Sequence, residues 1–319
     1  MAMLKRQLGR SAIEVSAMGL GCWAIGGPIW REGQPRGWGT VDDDESMRAI
    51  HRALDLGITF FDTADVYGAG HSERVLGRAL AGRRAQVVIA TKFGNTFDEA
   101  TRQGTGTDAS PAYIRDACDA SLRRLSTDYI DLYQFHVGNY DLDQAHAVRD
   151  VLEELVAAGK IRAYGWSTDD PERARVFAEG PHCTAIQQRL NIFEGNQQTL
   201  AVCEELNLAS VNRGPLGMGL LTGKFTHESR LPEADVRHDW DLRQGERAQH
   251  LDMLHSVRDL LTRDGRTLAQ AALGWLWARS EQTIPIPGFK TVAQVEENVG
   301  ALRFGPLSAE QMQQIRALS

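Results

Sequence analysis

The sequence predicts an α/β chain folded as a (β/α)8 TIM barrel with a short N-terminal β-hairpin in front of it. Three observations carry this expectation. Eight short apolar runs recur along the chain, rich in Ile, Val, Phe and Tyr, as suits strands buried on both faces of a parallel sheet. Amphipathic helical patterns separate them, the alternation expected of a parallel α/β fold. The length of 319 residues suits one such barrel, which takes about 250 residues before insertions. An open doubly wound sheet shares the same alternation and is the alternative. No linker, internal repeat or low-complexity tract interrupts the pattern, so residues 1–319 are expected to form a single domain.

The elements follow in order. Residues 3–16 read as the hairpin: Leu4–Leu8, a Gly9–Arg10–Ser11 turn, then Ile13–Val15. Its place before the first strand suits a plug at the bottom of the barrel. The eight runs are Met18–Cys22, Ile58–Phe61, Val87–Ala90, Ile130–Phe135, Ile161–Trp166, Thr184–Gln187, Ala209–Asn212 and Thr283–Ile286. Ser110 and Pro111 supply an N-cap and a first-turn proline for one helix. Its apolar face is Ile114, Cys118, Ser121/Leu122 and Leu125. Val148, Val151, Leu152, Leu155 and Val156 mark the next helix, which Gly159 ends. Met253, Leu254, Val257, Leu260 and Leu261 mark a later one, and the final helix covers about Ser308–Leu318. Residues 223–247 are polar and irregular, as lids often are. With His227, His238 and Trp240 they are expected to fold over a ligand, a surface loop being the alternative. Little chain follows the final helix, which suggests an open site with broad tolerance.

Composition excludes several classes. Lys and Arg total 35 against 42 Asp and Glu, a net charge of −7. This leaves no electrostatic footprint for nucleic acid or an anionic membrane. Hydrophobic residues at 42% and charged residues at 24% argue against disorder. Cys22, Cys118, Cys183 and Cys203 lie far apart without a CxxC pair, against a disulfide framework or zinc site. The apolar stretch Val15–Ile29 contains four glycines and is too short to span a membrane. A cytoplasmic protein is expected.

In such a barrel the active site lies at the C-terminal ends of the strands. Asp62 and Tyr67 follow the second run, Lys92 the third, His136 the fourth, and Ser167 and Thr168 the fifth. Gln187 ends the sixth and Gln188 follows it, Arg213 follows the seventh, and Gly288 and Lys290 follow the eighth. Asp, Tyr, Lys and His together suit proton transfer. A free tyrosine has a pKa of about 10, too high for efficient acid–base work near neutrality. A neighbouring ammonium is expected to lower it, with a carboxylate orienting the lysine. A metal centre lacks ligands, since no second His or Cys pair accompanies His136. Trp23, Trp30 and Trp38 fall in a loop containing Gly and Pro after the first run. They are expected to line an aromatic substrate pocket, simple packing being the alternative.

These residues stand in the stretches FFDTADVYGAGHSERVLGRAL, VVIATKFG, SLRRLSTDYIDLYQFH, AAGKIRAYGWST, GPLGMGLLTGKF and IPGFKTVAQVEENV. On these the chain resembles the aldo-keto reductase superfamily along nearly its whole length. It is most similar to the bacterial branch near the inositol-utilisation reductases, which also resembles the potassium-channel β subunits. The resemblance implies a catalytic tetrad of Asp62, Tyr67, Lys92 and His136. Tyr67 would be the general acid in reduction, Lys92 paired with Asp62 would tune it, and His136 would orient the carbonyl. The resemblance also implies NADPH lying across the barrel mouth without a Rossmann domain, and no G-x-G-x-x-G follows a strand here.

By the same resemblance, Ser167, Thr168 and Gln187 would hold the nicotinamide carboxamide, with Thr168 where the family usually has Asn. Pro215, Leu216 and Gly217 would pass over the pyrophosphate. Gly288 leads to Lys290, a cation for the adenosine 2′-phosphate that implies NADP over NAD. Gln294 and Asn298 would contact adenine. Arg213 replaces the usual stacking aromatic and is expected against the nicotinamide, where its charge would disfavour the oxidised, cationic ring. The substrate implied is a small carbonyl compound. Two other readings share these residues. One is a redox-sensing or interaction protein that binds NADP and turns over slowly. The other is an isomerase or aldolase using Lys92 as a Schiff-base amine.

Overall fold

The computed structural model describes residues 4–318; Met3, the first residue of the expected hairpin, lies outside them. Strands β1 (Lys5–Gln7) and β2 (Glu14–Ser16) pair antiparallel as that hairpin. β3 (Leu20–Gly21) opens the barrel, and two short strands, β4 (Trp30–Arg31) and β5 (Gln34–Pro35), lie in the loop after it. β6 (Phe60–Asp62) and β7 (Val88–Phe93) return to the barrel, and β8 (Asn95–Asp98) and β9 (Gln103–Thr107) form a hairpin beyond β7. β10 (Ile130–Phe135), β11 (Ile161–Ser167), β12 (Cys183–Arg189), β13 (Ala209–Arg213) and β14 (Thr283–Pro285) complete the set. The helices are α1 (Asp43–Asp55), α2 (His71–Ala79), α3 (Pro111–Leu125), α4 (Leu142–Ala157) and α5 (Pro171–Ala178). They continue as α6 (Gln197–Glu205), α7 (Gly245–Thr262), α8 (Leu268–Arg279), α9 (Val292–Gly300) and α10 (Ala309–Leu318).

Eight parallel strands run in the order β3-β6-β7-β10-β11-β12-β13-β14. The first and last meet: the Gly19 and Gly21 amides donate to the Pro285 and Pro287 carbonyls, each at 3.0 Å. All eight apolar runs fall at barrel strands. Their ends differ from the sequence reading in one respect that matters. β7 extends past its apolar run, so that Lys92 lies within the strand, and β12 runs on past Gln187 to Arg189. The reason is the lumen. Phe60, Ala90, Leu132 and Ala185 belong to one apolar cluster inside the barrel. Two residues further along each strand, on the same face, come Asp62, Lys92, Gln134 and Gln187. Their side chains bond to one another across the lumen, so polarity there does not end the strand.

The hairpin closes the opposite end. Leu8, Ile13 and Val15 are buried in that same apolar cluster. Arg10 ties the turn to the wall by donating from Nε to the Cys183 carbonyl at 2.8 Å and from Nη2 to Ala178 and Gly180 at 2.7 and 2.5 Å. Around the barrel the caps match the sequence signals. Ser110 accepts from the Tyr113 amide ahead of Pro111, and Gly159 follows α4 with φ at +72°.

Two features were not expected. β5, β4, β9 and β8 form a four-stranded sheet, a flap at the barrel mouth. The irregular stretch after β13 also ends at Gln244, because residues 245–247 are the first turn of α7. α7 is the helix that Met253–Leu261 marked, and α8, which the sequence reading did not give, makes the return to β14. The irregular stretch forms a strap: the Val236 amide donates to the Gly37 carbonyl at 2.9 Å, and Trp38 and Asp235 share a β-bridge. Among the described residues no helix is long and apolar enough to cross a membrane.

Candidate active site

The loop from β6 to α2 presents Tyr67. The Asp65 Oδ1 accepts from the Val66 amide at 2.6 Å, and the Gly70 amide donates to the Asp65 carbonyl at 2.7 Å, which folds the loop back on itself. Gly68, with φ at +60°, lies so close to Gly26 that a Cβ would fall 1.7 Å from its carbonyl oxygen. No other residue fits there, and the turn aims the tyrosine at the lumen.

Beneath it lies Lys92, fully buried. Its Nζ donates to Asp62 Oδ1 at 2.5 Å, to the Thr63 carbonyl at 2.7 Å and to the Tyr67 hydroxyl at 3.1 Å. The second oxygen of Asp62 accepts from Gln187 Nε2 at 2.7 Å and Gln134 Nε2 at 3.0 Å. Every donor of the ammonium is thus used, and both carboxylate oxygens are satisfied, as a buried ion pair requires. His136 stands immediately after β10, its ring edge-on to Tyr67 with centroids 6.0 Å apart. Its Nδ1 is buried without a hydrogen-bond partner.

Burial works against the charge on Lys92, yet Asp62 and Tyr67 outweigh it and hold the pKa above the usual lysine value. Burial also raises Tyr67; Lys92 opposes this, and Asp62 adds to it. The net shift is upward, opposite to the sequence expectation. Desolvation of the phenolate exceeds the attraction of an ammonium that Asp62 has already partly neutralised. His136 is held well below the ordinary histidine value by burial, then by Lys92 and Arg213. The site therefore holds a protonated phenol, a charged lysine and a neutral imidazole at neutral pH.

These groups face a cavity of about 1060 Å³ at the barrel mouth, lined by Asp62, Tyr67 and His136. Lys92 does not line it and meets it only through Asp62 and Tyr67. Trp23, Trp30 and Trp38 all line the cavity. Trp23 stacks over Tyr67 at 6.0 Å and meets Trp38 edge-on at 5.2 Å. Ser167, Gln187, Arg213, Pro215, Leu216, Gly288, Lys290, Gln294 and Asn298 also lie in its wall. Two of the expected cofactor residues do not. Thr168 faces an adjoining groove, where its hydroxyl donates to the Gly138 carbonyl at 3.0 Å and accepts from the Asp170 amide. Gly217 packs against the Phe193 ring. Arg213 is tied to the Asp169 carboxylate. Its charge therefore reaches the cavity partly offset, which weakens the expected bias against an oxidised ring.

Sequence reading missed several residues of the site and of the network beneath it. Gln134 sits on the inward face of β10, and its only signal was a polar residue two before His136. Lys224, Asp235 and Arg237 come from the strap, where charge reads as ordinary surface. Arg237 is held by both oxygens of Asp235 at 2.8 Å and by the Met218 carbonyl at 2.8 Å, with its guanidinium 4.4 Å from the Trp38 ring centroid. Lys290 Nζ donates to the Trp38 carbonyl at 2.5 Å and the Thr40 carbonyl at 3.3 Å. Burial lowers the pKa of both Lys224 and Lys290, and Arg237 lowers both further. Three crowded cations beside two carboxylates, Asp235 and Glu297, make a place for an anion. The Trp38 Nε1, buried without a partner, is a spare donor in the same wall.

The sequence pattern of the Aldo/keto reductase family matches residues 17–319. The chain is 35% identical over 292 residues to the aldo-keto reductase YhdN of Bacillus subtilis, covering 90% of this chain and 85% of that one. It is 32% identical over 313 residues to the aldo-keto reductase yakc [NADP(+)] of Schizosaccharomyces pombe, covering 95% and 88%. Its fold superposes on the glycerol dehydrogenase of Gluconobacter oxydans with a TM-score of 0.84 at 33% identity, covering 100% of this chain and 95% of that one. With the barrel and its buried lumen network already in place, these likenesses close the question of kinship: the chain is an oxidoreductase and belongs to the aldo/keto reductase family.

Proposed function

We propose that this chain reduces an aldehyde or ketone to the alcohol with NADPH, reversibly, with Tyr67 as general acid in reduction and general base in oxidation. The observation that carries the reading is the Lys92 ammonium placed between Asp62 and the Tyr67 hydroxyl at the foot of the cavity. Tyr67 gives its proton to the carbonyl oxygen as negative charge develops there. Lys92 stabilises the phenolate that results, and Asp62 keeps Lys92 charged and in place. His136, neutral, directs the carbonyl oxygen toward Tyr67. In the alcohol-to-carbonyl direction the phenolate takes the hydroxyl proton back.

The wall fits a dinucleotide phosphate. Lys224, Arg237 and Lys290 would hold its phosphates, and Lys290 would favour the extra phosphate of NADP over NAD. Pro215 and Leu216 would cover the pyrophosphate. Gly288, Gln294 and Asn298 would flank the adenosine. Ser167, Gln187 and Arg213 would hold the nicotinamide end. When bound, NADPH supplies the hydride for the carbonyl carbon. The Schiff-base alternative finds no support, since Lys92 is held as an ammonium and has no free amine to attack a carbonyl.

The test mixes the purified protein with NADPH or NADH and a panel of aldehydes, ketones and sugars, following loss of the reduced-nicotinamide absorbance. The wild-type protein should consume NADPH. Tyr67→Phe should lower kcat by about 10²–10⁴-fold. NADPH bound tightly but consumed with no carbonyl would overturn the reading in favour of a redox-sensing role.

A further inference from the structure

We propose that Gly104, on the inner face of the flap, sets the size of the substrate chamber, and that the substrate is a carbonyl compound bearing a ring-sized group that lies against this residue. The proposal rests on the reductase reading above and adds the class of substrate. β9 reads Gln103, Gly104, Thr105, Gly106, Thr107. Gly104 and Gly106 line the cavity, while Gln103, Thr105 and Thr107 are exposed.

The two glycines have different reasons to be there. Gly106 has φ at +146°, a backbone setting that side chains rarely adopt. Gly104 has no such conformation. A Cβ added to it would meet Arg31 Cβ at 3.5 Å, the Trp30 carbonyl oxygen at 3.6 Å and Arg31 Cγ at 3.7 Å, all ordinary contacts. Neither backbone nor packing therefore demands glycine at 104. A glycine inside a strand loses conformational entropy and gives up side-chain packing, and it is often found where a ligand approaches the backbone. The remaining explanation is the space it leaves in the cavity.

That space lies beside Trp30 and Arg31, on the flap. A small carbonyl compound held at Tyr67 and His136 beneath Trp23 would leave it unfilled. The substituent that fills it is ring-sized, and Trp23 and Trp30 lie in the same wall to pack against it.

The experiment measures kcat/KM for propanal and for a naphthaldehyde in wild type, Gly104→Ala, Gly104→Leu and Gln103→Leu, with Tm recorded for each. Gly104→Leu should lower kcat/KM for the naphthaldehyde by about tenfold or more and leave propanal unchanged. Gly104→Ala should fall between wild type and leucine. Gln103→Leu, on the outer face of the same strand, should change neither. Equal losses for both aldehydes, or no loss for either, would overturn the proposal. If Gly104→Leu does not fold, the same comparison in Gly104→Ala decides it. If wild type turns over neither aldehyde, the reductase reading is decided by the wider panel of carbonyl compounds above. The Gly104 proposal is then decided by the two dissociation constants from tryptophan fluorescence. Binding of the naphthaldehyde alone weakened in the variant supports it, and equal binding overturns it.

Discussion

Burial raises the Tyr67 phenol and Lys92 pulls it back only part of the way. The sign of the pH dependence follows. A raised phenol pKa keeps the acid form present through neutrality, and it is lost only as pH rises through that raised value. Reduction should therefore keep a flat kcat across the neutral range and fall on the alkaline side. Oxidation, which needs the phenolate, should rise with pH over that alkaline range. His136, held well below its ordinary value of 6.5, should add no limb near that pH. Initial rates in both directions across pH check this, and a fall in reduction around neutrality would contradict it. At this scale Asp62, Tyr67, Lys92 and His136 were legible because each follows an apolar run at motif spacing. Gln134 was not, because one glutamine in IDLYQF looks like any polar interruption. Its role exists only once Asp62 and Gln187 are brought beside it.

Among the elements, the strap and the flap decide what covers the cavity. Arg237 pins the strap through Asp235, the Met218 carbonyl and the Trp38 ring. A charged hydrogen-bonded group of this kind is worth roughly 1.5–3 kcal/mol, and 1.4 kcal/mol is about tenfold in affinity. Arg237→Ala should weaken NADPH binding by about tenfold or more and speed proteolytic cutting within 223–244. Fluorescence titration and limited proteolysis read the two effects. The barrel strands were legible because a buried strand needs a run of apolar residues. The flap was not: β4 and β5 have two residues each, and β9, with glycine at alternate positions, carries no apolar alternation.

In the molecule as a whole, the hairpin plug and the candidate site sit at opposite ends of the barrel. The hairpin seals one end with Leu8, Ile13 and Val15, and the polar lumen layer lies at the other. Leu8 is fully buried, so Leu8→Ala should cost about 2–5 kcal/mol of stability with kcat unchanged. Urea denaturation and the NADPH assay on the same preparation check this. A large fall in kcat in the folded variant would show that the two ends are coupled.

The sequence alone determined what depends on local order: the eight strands, the helices α3, α4, α7 and α10, the hairpin, and the polar side chains that gather at the strand ends. Strand burial and helical amphipathicity are written in neighbouring residues. Tertiary structure decided what depends on distant segments meeting. It brought Lys224, Asp235 and Arg237 over the cavity, turned Thr168 and Gly217 away from it, and tied Arg213 to Asp169. It also reversed the expected shift of Tyr67, because desolvation depends on everything packed around a group, whereas spacing along the chain reports only which charges are near.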